Sequence, residues 1–163
     1  MNMSSRLAIG CVTIAAAALF VNGHCEIPCG IYDDPVRIVL LHEHITTIEK
    51  SMKQINELSQ AKNTDNNQLV RWINNKEQHA DKFMEIVTQY FMTQRIKPPK
   101  TADKQLQAKY IKELSLLHKM LVQAMKAKQT TDRAHCTALR KLVEEFKLSY
   151  IGKPKEEILH IEL

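Results

Sequence analysis

Asp33-Asp34-Pro35-Val36-Arg37-Ile38-Val39-Leu40-Leu41-His42-Glu43-His44-Ile45 opens the stretch that decides the fold, and the stretch runs on to Ala61. An Asx residue followed by proline is a helix start: the carboxylate accepts a free backbone N–H, and proline in the first turn loses nothing by lacking its own. Beyond it, Ile38, Leu41, Ile45, Ile48, Met52 and Ile55 recur at alternating spacings of three and four, which places them on one face of a continuous helix. The spacing predicts a helix over Val36 to Ala61. Its apolar face needs partners, and the rest of the chain supplies three more of the same kind.

Lys62 to Asn67 is polar and rich in Asn and Asp, hence a turn. A second helix is expected from near Asp65 to about Arg95, carrying Leu69, Trp72, Ile73, Ala80, Phe83, Val87, Tyr90 and Phe91, until Pro98-Pro99 forbids continuation. Thr101 or Asp103 can cap a third, with Leu106, Tyr110, Leu114, Leu117, Leu121 and Ala124 on one face. Gln129-Thr130-Thr131-Asp132 breaks it. The fourth stripe is Cys136, Leu139, Val143, Phe146 and Tyr150, stopped by Gly152 and Pro154. Four long amphipathic helices on short links predict an all-α, antiparallel up-and-down four-helix bundle over residues 33–152. The stripes are core by the ordinary behaviour of apolar helical faces, which makes Trp72, Tyr90 and Phe91 core aromatics and Cys136 a small buried hydrophobe.

The ends of the chain differ from its middle. Residues 1–23 have the parts of a secretory signal: Arg6 near the start, an apolar run from Leu7 to Val21, and Val21 and Gly23 before a cleavage point. That run falls short of the roughly 20 residues of a comfortable membrane span, so no membrane contact is expected once it is removed. At the other end, within a tail of residues 153–163, His160-Ile161-Glu162-Leu163 is like an endoplasmic-reticulum retrieval signal. A secretory-pathway protein is the expectation, held in the lumen of that compartment or, alternatively, secreted.

Of 163 residues, 23 are Lys or Arg and 18 Asp or Glu, a formal net charge of +5. This mild excess suits the steering of a small anion. No Lys/Arg block interleaved with aromatics argues for nucleic acid. Four cysteines are present, and loss of Cys11 with the signal would leave Cys25, Cys29 and Cys136, an odd number that does not make a simple disulfide framework.

Between signal and bundle stands His24-Cys25-Glu26-Ile27-Pro28-Cys29-Gly30-Ile31-Tyr32. Cleavage after Gly23 would free the His24 amine, which with the Cys25 backbone nitrogen forms a five-membered chelate ring. The Cys25 thiolate closes a second. Pro28 and Gly30 favour the reversal that brings in the Cys29 sulfur. Two nitrogens and two sulfurs in a plane, with the His24 imidazole tethered for an axial position, suit Ni(II) or Cu(II) rather than tetrahedral zinc. Two thiolates would tend to reduce copper to Cu(I), so nickel fits best.

The six positions His24, Cys25, Pro28, Cys29, Gly30 and Tyr32 resemble the nickel hook of nickel-containing superoxide dismutase, whose mature chains begin at that histidine. Lys76-Glu77-Gln78-His79-Ala80, and Lys97-Pro98-Pro99 after an aromatic pair, are similar to family stretches on the second helix and its end. The resemblance implies a four-helix bundle assembled as a homohexamer, and one nickel ion per subunit held by His24, Cys25 and Cys29. It implies an enzyme that cycles between Ni(II) and Ni(III), oxidising one superoxide to dioxygen and reducing the next to hydrogen peroxide. Tyr32, with His24 the catalytic pair, would stand by the vacant axial face and govern anion access.

Two positions depart from the bacterial pattern, in which a glutamate and an arginine orient the axial histidine. Val39 stands in or near the glutamate column, and His79 replaces the arginine. A metal-bound imidazole normally needs a partner for its second nitrogen, and His79 is the candidate here, with His42, Glu43 or a backbone carbonyl as other sources. Two further readings use the same residues: a secretory helical binding module in which Cys25 and Cys29 form a disulfide, and a nickel or copper carrier without turnover.

Overall fold

The computed structural model describes residues 28–152. The signal segment, His24, Cys25 and the tail from residue 153 lie outside the described residues.

Four helices form, and no strand occurs among the described residues. The first, α1, spans Asp34–Gln60, with the Asp33 carboxylate accepting the Val36 N–H at 3.1 Å and Pro35 in the first turn. Helix α2 spans Asn66–Glu85 behind Asp65, whose side chain accepts from Gln68 N. Asp103 caps α3, Lys104–Gln129, accepting from Gln105 N and Leu106 N. Helix α4 spans Ala134–Tyr150 and ends at Gly152, whose φ of 91° is the left-handed conformation that glycine adopts without strain.

The second helix is not α-helical throughout. From Ile86 to Arg95 it widens into a π-helix, where the backbone bonds five residues back, and the last of these is Ile96 N–H to Phe91 C=O at 2.8 Å. Side chains repeat the same reach: Thr93 Oγ1 donates to the Thr88 carbonyl and Gln94 Nε2 to that of Gln89. The segment then stops at Ile96, two residues before Pro98.

Cross-helix pairs fix the topology. Asp34, His44 and Ser51 of α1 meet Arg95, His79 and Asn75 in descending order, so α1 and α2 are antiparallel. Glu113 and Gln123 of α3 meet Ser149 and His135 of α4 in the same sense. Helix α1 packs on α2 and α4, and α3 does likewise, which closes an up-and-down bundle.

The first stripe is buried as spaced, from Ile38 through Ile55, and the fourth from Cys136 through Phe146. Cys136 is fully buried with its Sγ 3.8 Å from Met52 Sδ, and burial pushes its thiol up to about 11. Phe91, Phe146 and Tyr150 interlock, Phe91 edge-on to the other two and Phe146 stacked on Tyr150 at 5.3 Å.

Two expectations are corrected. On α3 the buried face is Glu113, Leu116, Leu117, Met120, Ala124 and Ala127, while Leu106 is exposed and Leu114 and Leu121 are only half-buried. Apolar residues at 114, 116, 117, 120 and 121 offer two overlapping stripes, and packing against both α2 and α4 selects the second. On α2, Ile73 is exposed and Trp72 half-buried, with Lys50 Nζ 5.8 Å from the indole centroid, so the N-terminal half of this helix is surface.

One buried charge holds the far end of the bundle. Lys76, 4 % exposed, donates from Nζ to the Ala127 and Lys128 carbonyls and to Glu77. It thereby satisfies carbonyls in the last turn of α3 that have no partner within their own helix, with a positive charge at the end where the helix dipole favours one.

Candidate metal centre

Of the three expected ligands, Cys29 alone falls among the described residues. It lies in the bend Pro28–Gly30, its thiol free and exposed. Gly30 follows with φ 78°, a conformation that costs a side-chain-bearing residue strain and costs glycine none, so the chain reverses immediately after the sulfur. Ile31 is 82 % exposed and Tyr32 38 %. An exposed, unpaired cysteine at a tight reversal is a sulfur that a soft metal could reach.

The bundle begins at Asp33, and its first carboxylate after the cap, Asp34, accepts four hydrogen bonds. Asp34 Oδ1 accepts from Tyr90 Oη at 2.7 Å and from Arg95 Nε at 2.9 Å. Its Oδ2 accepts from Arg95 Nη2 at 2.7 Å and Tyr150 Oη at 2.9 Å. Burial works against the charged carboxylate, but Arg95 and the two hydroxyls outweigh it and hold the carboxyl below its ordinary value. Burial, and then the bond to Asp34, pushes both tyrosine hydroxyls up to about 12. Arg95, bonded to Asp34, is held even more firmly in its charged form.

Midway along α1, His44 Nδ1 lies 3.1 Å from His79 Nδ1, the rings edge-on at 5.1 Å. One ring must present an N–H and the other a lone pair. Desolvation, then the mutual repulsion of the two rings and the nearby Lys82, lowers the His44 value against the opposing pull of Glu43. Desolvation and Lys82 lower that of His79. His79 thus has His44 as its partner, which sequence reasoning missed. His42, the other histidine of α1 considered for a supporting role, is bonded to Glu144 of α4 at 2.8 Å. Val39 is 63 % exposed and offers no side-chain hydrogen bond.

Among the described residues no group of three or more His, Cys, Asp or Glu side chains stands close enough to hold a metal ion, and no helix is long and apolar enough to cross a membrane. Comparison with protein families adds the deciding observation: the family model described as nickel-containing superoxide dismutase matches residues 16–153. The chain belongs to the nickel-containing superoxide dismutase family. No curated protein and no solved structure matches it.

Membership of the nickel-containing superoxide dismutases makes the chain an oxidoreductase with a nickel cofactor and superoxide as substrate. The exposed Cys29 thiol and the left-handed Gly30 behind it fit that cofactor as a donor and a turn. Asp34, Arg95 and Tyr150 were not foreseen as a cluster. The Asp-Pro pair read only as a helix start, and the two tyrosines only as core.

Proposed function

We propose that nickel is held by the hook His24, Cys25 and Cys29, and that the site comes into being when cleavage after Gly23 exposes the His24 amine. The observation that carries this reading is the run His24-Cys25-x-x-Pro28-Cys29-Gly30-x-Tyr32 inside the matched residues, with Cys29 a free thiol at a reversal. Nickel bound there would supply the one-electron chemistry, between Ni(II) and Ni(III), by which two superoxide ions and two protons give dioxygen and hydrogen peroxide.

The protein's own contribution is electronic and steric. The Cys25 and Cys29 sulfurs and the Cys25 backbone nitrogen would hold the nickel and donate the electron density that makes its higher oxidation state accessible. The His24 imidazole would supply a further nitrogen donor. His79 can serve as its hydrogen-bond partner only through Nε2, because Nδ1 is engaged by His44. Tyr32 screens anion access at the end of the hook, and the net charge, which loss of Arg6 with residues 1–23 lowers from +5 to +4, favours the approach of superoxide. Residues 24–32 then act as the hook and 33–152 as the scaffold, the scaffold assembling as a homohexamer after passage through the secretory pathway.

Intact mass and N-terminal sequencing of mature protein should find His24 first, and one extra residue in front should block nickel binding. Nickel-loaded protein should show superoxide decay and a Ni(III) electron-spin resonance together. Cys25→Ser and Cys29→Ser should abolish both. Nickel binding with superoxide decaying at the buffer rate would establish a carrier in place of the enzyme.

A further inference from the structure

We propose that the groove between α1 and α2 around Trp72 is a binding site for a nucleoside phosphate, with the base packed on the indole and the phosphate held by Lys50 and Arg71. Thr47 and Lys50 of α1 and Gln68, Arg71, Trp72 and Asn75 of α2 line it, enclosing about 390 Å³. That volume falls within the range of small-molecule sites, roughly 300–1,000 Å³. Every residue involved belongs to the bundle, so the site stands or falls apart from the nickel hook.

Charge gives the groove its sign. Two cations line it and no carboxylate does. The acids nearest in sequence are spent elsewhere: Glu49 pairs with Arg140 at 2.8 Å, Glu57 with Lys53 at 3.7 Å, and the Asp65 carboxylate accepts the Gln68 backbone N–H at 3.1 Å. Glu43 acts on His44 and His79. Among the described residues neither Lys50 nor Arg71 forms an ion pair. An ammonium and a guanidinium left unneutralised on two packed helices make a site for an anion, and the guanidinium fork matches phosphate oxygens.

The indole supplies a platform. Trp72 is half-buried, fixed by packing yet partly open, with Lys50 Nζ 5.8 Å from its ring centroid. Such a cation–π pair is common on protein surfaces and by itself marks no site. Here the ammonium sits on a long flexible stem, so a base stacked on the indole moves it aside toward the phosphate that the base carries. Stacking on an aromatic plane is a general way for proteins to hold a base.

The floor of the groove selects the ring. Asn75 Nδ2 donates to Ser51 Oγ at 2.9 Å, and Ser51 Oγ to the Thr47 carbonyl at 2.8 Å, so a polar chain joins the helices here. The Asn75 amide oxygen is left without a protein partner among the described residues, and so is the Gln68 side-chain amide. A carboxamide presents a donor and an acceptor side by side, the pattern that pairs with the N6 and N7 edge of adenine. An aromatic carboxylate would meet the cations and the indole but leave both amides unused, which favours an adenine nucleotide.

The test is isothermal titration calorimetry of adenosine 5′-monophosphate (AMP) into the full chain at matched ionic strength, with adenosine, inorganic phosphate and benzoate as comparisons. AMP should bind saturably, and adenosine and phosphate about tenfold or more weaker, since each lacks part of the contacts. Lys50→Gln and Arg71→Gln should each weaken AMP about fivefold and leave adenosine unchanged. Trp72→Ala should weaken AMP and adenosine alike, by about tenfold or more. Trp72→Phe keeps an aromatic plane, should fall between, and serves if Trp72→Ala fails to fold. Lys141→Gln removes the same charge from an exposed position on α4 and should bind AMP as the wild type does. Absence of saturable AMP binding, or equal losses in Lys50→Gln and Lys141→Gln, would overturn the site while the nickel enzyme stands. Phosphate binding as tightly as AMP would mean an adventitious ion only, and benzoate doing so would mean a site for aromatic carboxylates; either result overturns the nucleotide.

Discussion

At the residue scale, the histidine pair and the clamped aspartate make the protein acid-sensitive in two windows. His44 and His79 both have folded-state values below the ordinary 6.5, so the unfolded chain binds protons first and stability falls as pH drops through 6.5 toward those lowered values. Unfolding temperature followed from pH 7.5 to 5 on nickel-free protein should therefore decline, and His44→Gln should flatten the decline. Asp34, also lowered, contributes stability that is present above 3.8 and lost as pH falls below it, so Asp34→Asn should remove part of the drop in that second window. Neither window was legible in the sequence. His79 could be picked out by the arginine it replaces, but nothing in the local pattern announces a contact with His44, thirty-five residues away, or that of Asp34 with Tyr150 across 116.

At the scale of elements, periodicity was a good guide wherever only one apolar face existed. Ile38 through Ile55 and Cys136 through Phe146 admit a single stripe, and both are buried as spaced. Helix α3 admits two, and choosing between Leu116-Met120 and Leu114-Leu121 requires knowing which neighbours it touches. The switch from α to π hydrogen bonding at Ile86 has no compositional mark, because the same Val87, Tyr90 and Phe91 would line an α-helical stripe as well. Phe91 is fully buried and meets Tyr90, Phe146 and Tyr150, so Phe91→Ala should cost about 3–5 kcal/mol in denaturant unfolding. Lys76→Ala should cost about 1–3 kcal/mol by leaving the Ala127 and Lys128 carbonyls without their donor, a loss absent from a surface variant such as Lys53→Ala.

For the whole molecule, the proposed function makes the bundle a scaffold and gives the chemistry to the segment in front of it, a reading that rests on spacing and needs no fold. A motif of nine consecutive residues needs no fold to be recognised; a clamp assembled from α1, α2 and α4 does. Steering by the mature chain's net charge, +4 once Arg6 has left the full chain's +5, predicts that kcat/KM for superoxide falls as ionic strength rises, whereas an inert surface would give a flat line in pulse-radiolysis decay. Analytical ultracentrifugation should find the hexamer that the family resemblance implies, and a monomer at working concentration would remove that part of the proposal. Trp72 offers a way to watch the scaffold apart from the metal. As the sole tryptophan, half-buried on α2 beneath the Lys50 ammonium of α1, it is a built-in emission probe of how closely the first two helices dock, readable at every stage from nascent chain to loaded enzyme without a label.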